Sequence, residues 1–157
     1  MRHDRLFAAS RARRLLEEYN LTGSVLVIGC AEGYLVEALV RLKVDAYGLD
    51  RDCFVLSLAN GAIKNRLVIG SATEIVSYNQ VCDLANVTMF SCIISENIFY
   101  YLTDQEAEAF HTLSVFFGER VIHLIKRKVG LKEPTARSIT QLRRIFNHSN
   151  VTFKIQA

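Results

Sequence analysis

Proline occurs once in these 157 residues, at Pro134, and no repeat, low-complexity tract or linker interrupts the chain. With half of its residues apolar, it reads as one domain over 1–157 built on one sizeable core. Long hydrophobic runs are absent: none reaches the roughly 18 residues a membrane-crossing helix requires, so no membrane partner is expected. The opening Met1-Arg2-His3-Asp4-Arg5 lacks the apolar core and small-residue cleavage site of a signal peptide, which makes the cytoplasm the expected location. Cysteine is sparse and scattered. Cys30, Cys53, Cys82 and Cys92 form no Cys-x-x-Cys pair, which favours structural thiols in a reducing compartment over a disulfide frame or a zinc site. No metal-ligand spacing appears elsewhere, and no metal is expected.

Charge of one sign is also in short supply, at +3 net, but its distribution is uneven. Arg2, Arg5, Arg11, Arg13 and Arg14 crowd the start, and Arg120, Lys126, Arg127, Lys128, Lys132, Arg137, Arg143 and Arg144 the last third. These basic ends are either ordinary solvated helix faces or a rim that attracts an anionic substrate or nucleic acid; few aromatics interleave with them, which favours the former.

What is present is concentrated in Val25-Leu26-Val27-Ile28-Gly29-Cys30-Ala31-Glu32-Gly33-Tyr34, an apolar run that turns at a glycine loop into an amphipathic helix. Asp45-Ala46-Tyr47-Gly48-Leu49-Asp50 follows as a second strand ending on a carboxylate. Such a strand–loop–helix–strand unit is a nucleotide cradle: glycines let the backbone approach a ligand, the helix start offers N–H groups, and the acid can hold ribose hydroxyls. Asp50 lies 17 positions after Gly33, near the usual interval of about 20. A dinucleotide loop needs glycine at positions filled here by Gly29, Ala31 and Tyr34, so a nicotinamide-dependent oxidoreductase fails at Tyr34.

The spacing Gly29-x-x-x-Gly33 resembles motif I of the class I S-adenosylmethionine (SAM)-dependent methyltransferases, whose usual form is acid-x-Gly-x-Gly-x-Gly. Asp45 to Asp50 is similar to that family's second-strand motif, Leu67 to Glu74 to its adenine-side motif, and Phe90 to Asp104 to its fourth-strand motif. The resemblance runs in order from about Leu21 to Lys126. It implies an α/β three-layer sandwich around a mostly parallel, doubly wound sheet of strand order 3-2-1-4-5 plus a last strand. An N-terminal helix would occupy 1–20, a cofactor-binding core 21–126, and a C-terminal helix and strand 127–157.

The resemblance further implies SAM as cofactor, held by Gly29, Cys30, Ala31, Gly33, Asp50, Ser71, Ala72 and Ser95, and methyl transfer to a small-molecule acceptor. Glu96 is the candidate base or polar anchor. Tyr100 and Tyr101 are candidates to stack on substrate or to line a sulfonium pocket, helix packing being the plainer reading. Departures from the pattern support a second reading, a catalytically degenerate binding or interaction module. Val27 stands where the family has an acid, Ala31 replaces the middle glycine, Ser71 and Ser91 replace acids, and Tyr101 replaces a histidine. The family usually ends on an antiparallel hairpin where one strand is expected here, so either the sheet edge is finished differently or a second copy covers it.

Periodicity predicts the elements. Helices are expected over Asp4–Tyr19, Glu32–Leu42, Asp52–Asn60, Thr103–Phe117 (from the capping box Thr103-Asp104-Gln105-Glu106) and Pro134–His148. Strands are expected over Ser24–Ile28, Asp45–Leu49, Arg66–Ile69, Phe90–Ser95, Arg120–Ile125 and Val151–Ile155, with Ser71 to Val87 irregular and carrying short helical turns. Strands alternating with helices predict a parallel sheet covered on both faces. His123, inside the fifth strand, reads as a core histidine rather than a catalytic one.

Overall fold

The computed structural model describes residues 2–126 and 150–156. The helix expected over Pro134–His148 and the basic residues Arg127, Lys128, Lys132, Arg137, Arg143 and Arg144 lie outside them. The described elements are α1 (Arg2–Tyr19), β1 (Ser24–Ile28), α2 (Tyr34–Arg41), β2 (Asp45–Asp50), α3 (Cys53–Ser57), β3 (Leu67–Ile69), α4 (Ile75–Ala85), β4 (Cys92–Glu96), α5 (Asp104–Phe117), β5 (Val121–Lys126) and β6 (Val151–Gln156).

The strands form one six-stranded sheet in the order β3-β2-β1-β4-β5-β6. Every pairing in it is parallel. Among the described residues the edge beyond β5 is finished by one parallel strand, Val121 standing opposite Val151 and Lys126 opposite Gln156. The alternation of a pleated strand sorts the apolar side chains into two cores. Val25, Val27, Ala46, Cys92, Ile94, Ile122 and Leu124 pack with α1 and α2 on one face. Leu26, Ile28, Leu49, Ile93, Val121 and Ile125 pack with α4 and α5 on the other. Strands buried on both faces read as continuous apolar runs, which is why β1 and β4 stand out in the sequence.

Two elements differ from expectation. The segment after β3 is ordered into the 11-residue helix α4 and ends on Asn86 in the left-handed conformation, a residue type that tolerates it. Its buried side chains are Ser77, Tyr78, Val81 and Cys82 while the larger aliphatic residues Ile75 and Val76 are exposed, so the helical stripe facing the core is blurred in the sequence by apolar residues off it. α3 stops at Ser57, three residues before the Asn60-Gly61 signal. Its start is fixed by Asp52, whose carboxylate accepts from the Phe54 and Val55 N–H groups. The capping box forms as expected: Thr103 Oγ1 accepts from Glu106 N at 3.2 Å and Glu106 from Thr103 N at 2.7 Å. Among the described residues no helix is long and apolar enough to cross a membrane.

Candidate functional site

In an open parallel sheet the crevice forms where the strand order reverses, outside the carboxyl ends of the strands. Here that point lies between β1 and β4, and a cavity of about 390 Å³ opens there. It falls within the roughly 300–1,000 Å³ typical of small-molecule sites. Its lining comes from four strand ends: Gly29 and Ala31 after β1, Asp50 at the tip of β2, Gly70 to Thr73 after β3, and Glu96 to Ile98 after β4.

The loop after β1 makes the first wall. Gly29, Ala31 and Gly33 all take positive φ, at 73°, 48° and 76°. Glycine does so freely, whereas an alanine there costs on the order of 1 kcal/mol. The Ala31 N–H donates to Asp50 Oδ2 at 2.8 Å, which helps hold that conformation. Thus Ala31 keeps the backbone path of the glycine it replaces. Gly29 has no room for a side chain, since a Cβ would lie 2.9 Å from Ile98 Cγ1 and 3.2 Å from the Glu96 carbonyl oxygen.

Asp50 makes the second. Its Oδ1 accepts from Asp52 N at 2.9 Å, so two backbone N–H groups aim the carboxylate at the cavity mouth. On the third wall Ser71 Oγ lies 2.8 Å from Thr73 Oγ1 and accepts from Thr73 N, and Tyr78 Oη donates to the Ala72 carbonyl at 2.9 Å. On the fourth, Glu96 forms an ion pair with Arg11 of α1. Asn97 follows with φ 54° and opens a 3-10 turn, Ile98–Tyr101. The cavity also receives Asp52, Glu106 and Arg51, so carboxylates outnumber cations along it.

Of the residues singled out in the sequence, Gly29, Ala31, Asp50, Ser71, Ala72 and Glu96 line this cavity. Cys30, Gly33, Ser95 and Tyr100 lie beside it. Cys30 is buried under the loop, where burial pushes its thiol up, and its sulfur occupies the space left by Gly48. Gly33 caps α2 in the left-handed conformation, with Ile63 filling the place of a side chain. Tyr100 packs on the core of the α4/α5 face, and its neighbour Tyr101 borders the cavity.

Ser95 points to that same core, its Oγ 2.6 Å from His123 Nδ1. The His123 ring is fully buried among Phe99, Phe110 and Phe153, and burial lowers its pKa to about 3. It is a neutral core histidine. Sequence reasoning missed Arg11 as the partner of Glu96, although the crowding of arginines on α1 was visible. Among the described residues no cluster of His, Cys, Asp or Glu could hold a metal ion.

No protein-family model matches the sequence, and no curated protein matches it significantly. Solved structures do match the fold. A glycopeptide N-methyltransferase, MtfA, complexed with SAM aligns at a TM-score of 0.55 and 16% identity, over 72% of this chain and 50% of that one. A SAM-dependent methyltransferase from Archaeoglobus fulgidus aligns at 0.59 and 17%, over 74% and 49%. DesVI from Streptomyces venezuelae aligns at 0.52 and 19%, over 73% and 47%. The chain spans about half the length of each of these structures. With its parallel sheet, reversal point and glycine loop, it has the class I SAM-dependent methyltransferase fold.

Proposed function

We propose that the cavity binds SAM and that the protein transfers its methyl group to a small-molecule acceptor. The observation that carries this reading is Asp50, aimed by two backbone N–H groups beside the glycine loop at the point where the strand order reverses. Each of its oxygens retains a lone pair for a ribose hydroxyl. The Gly29–Gly33 loop passes the methionine portion with its backbone, Cys30 and Gly33 shaping the turn rather than offering side chains. Ser71 and Ala72 flank the adenine. A carboxylate-rich lining suits a ligand carrying a sulfonium charge. The similar MtfA structure was determined with SAM.

The sulfonium supplies an electrophilic methyl carbon, and the displacement needs no metal and no covalent enzyme intermediate. This chain's residues position the acceptor for in-line attack and receive or relay its proton. Glu96, held by Arg11 at the cavity wall, is the anchor or base for the acceptor. Tyr101 forms the aromatic border, and Tyr100 and Ser95 brace the turn and strand behind it.

Titration with SAM and with its demethylated product tests the proposal. Saturable heat and a raised melting temperature are expected, a ligand at a hundred times its Kd adding about 3 kcal/mol of stability. Absence of both at millimolar ligand would refute it. A second reading, a methyltransferase-like module that binds without turnover, is favoured by Ser71, whose hydroxyl is engaged by Thr73 where the family has a free acid. Binding of SAM without methyl transfer into any amine, hydroxyl or thiol acceptor would select it.

A further inference from the structure

A second cavity, of about 200 Å³, lies between α1 and α2, shares no lining residue with the first, and is bordered by three arginines. Arg5, Ala9 and Arg13 form one row of α1, each four residues from the next, and Arg41 stands opposite on α2. The small side chains of Ala9 and Ala38 leave the space between them. The acid within it, Glu37, is already spoken for. Its Oε1 accepts from Arg41 Nη2 at 2.6 Å and from Asn60 Nδ2 at 2.9 Å, and its carboxylate is nearly buried. Arg5 lies over the Tyr34 ring at 5.4 Å, which fixes its guanidinium at one end of the groove. Arg13 has no carboxylate partner among the described residues.

We propose that this groove binds a phosphate-bearing ligand through Arg5, Arg13 and Arg41. Three guanidiniums against one neutralised carboxylate leave an excess of two positive charges around a concave space. The forked N–H groups of arginine match the paired oxygens of a phosphoryl group, an interaction stronger than a neutral hydrogen bond. Arg41 keeps its outer N–H groups for the ligand, since its side chain is 73% exposed while one edge holds Glu37. A terminal phosphate of a small metabolite and the backbone of a nucleic acid strand offer the same chemistry. The assignment is independent of the larger cavity and holds whether or not that cavity binds SAM.

Calorimetric titration of the full chain with inorganic pyrophosphate tests it, alongside a titration with a short oligothymidylate. Saturable pyrophosphate binding is expected, weakened about tenfold by Arg13→Gln and abolished by the Arg5→Gln/Arg13→Gln double variant. Arg13→Lys should recover part of the affinity through charge alone. Both arginines are exposed, so these variants should melt like the parent. Pyrophosphate binding without oligothymidylate binding identifies a small phosphorylated molecule. Competition between the two, with affinity falling steeply as salt rises, identifies a nucleic acid strand. Non-saturable heat, or pyrophosphate affinity unchanged in the double variant, overturns the proposal.

Discussion

Acidification from about pH 6.5 to 4.5 is expected to destabilise the fold by roughly 2 kcal/mol through His123 alone. The ring is fully buried, its Nδ1 meets the Ser95 hydroxyl at 2.6 Å, and its Nε2 has no hydrogen-bond partner among the described residues. Phe99, Phe110 and Phe153 surround it at centroid distances of 4.8, 5.3 and 5.0 Å, an environment that cannot solvate a cation. Its pKa therefore falls to about 3, while the unfolded chain restores a value near 6.5. Because the folded value is the lower one, the neutral ring contributes fully above about pH 6.5. That contribution is lost by about 1.4 kcal/mol per pH unit as the pH drops toward 3, where the unfolded chain holds a proton and the folded one does not. Carboxylates held low by partners, such as Asp45 beside Arg66 and Glu18 beside Lys154, add losses toward the acid end of this window, and comparison with a variant lacking the imidazole separates the two. Urea denaturation at pH 6.5, 5.5 and 4.5 reads the effect as a fall of roughly 1 M in midpoint. The Ser95→Ala/His123→Leu variant removes both partners together, leaves no lone buried hydroxyl, and should lose roughly 2 kcal/mol less than the parent across the window. An equal fall in parent and variant would refute the assignment.

Replacement of the carboxylate at the tip of β2, Asp50→Ala, should weaken SAM binding by roughly 1–3 kcal/mol with a small change in stability, measured by calorimetry and melting. Unchanged affinity would show that the ribose lies elsewhere. Gly29→Ala places a Cβ 2.9 Å from Ile98 at a φ of 73° and should destabilise by roughly 1–3 kcal/mol in urea. A more stable variant would contradict that geometry. Thr103→Ala, which breaks the capping box, should cost about 1 kcal/mol, and Thr103→Ser should keep most of it.

What the sequence revealed follows from which forces act locally. β1 was legible because Val25 to Ile28 is a continuous apolar run closed by a glycine that must turn. The start of α5 was legible because Thr103 and Glu106 bond each other's backbone within one turn. By contrast α4 was hidden, since its contact with the sheet is made by Ser77, Tyr78, Val81 and Cys82 while Ile75 and Val76 face water. At the cavity, residues fixed by their own loop were readable: Gly29 and Gly33 take the conformation that glycine permits, and Asp50 meets Ala31. Side-chain direction was not. Ser95 and Glu96 are adjacent in sequence, yet the pleat sends one to His123 and the other to the cavity. The Arg11–Glu96 pair spans 85 positions and depends on how α1 docks, which no local pattern encodes.

That pairing has a thermodynamic corollary. Because a guanidinium from the opening helix grips a carboxylate on the cavity wall, the proposed filling of the crevice would be linked to the seating of that helix. Any occupant that engages Glu96 changes the helix's attachment by the same free energy through which attachment changes the occupant's affinity. Protease resistance of the first turns is thus a reporter of occupancy, readable without following any chemistry.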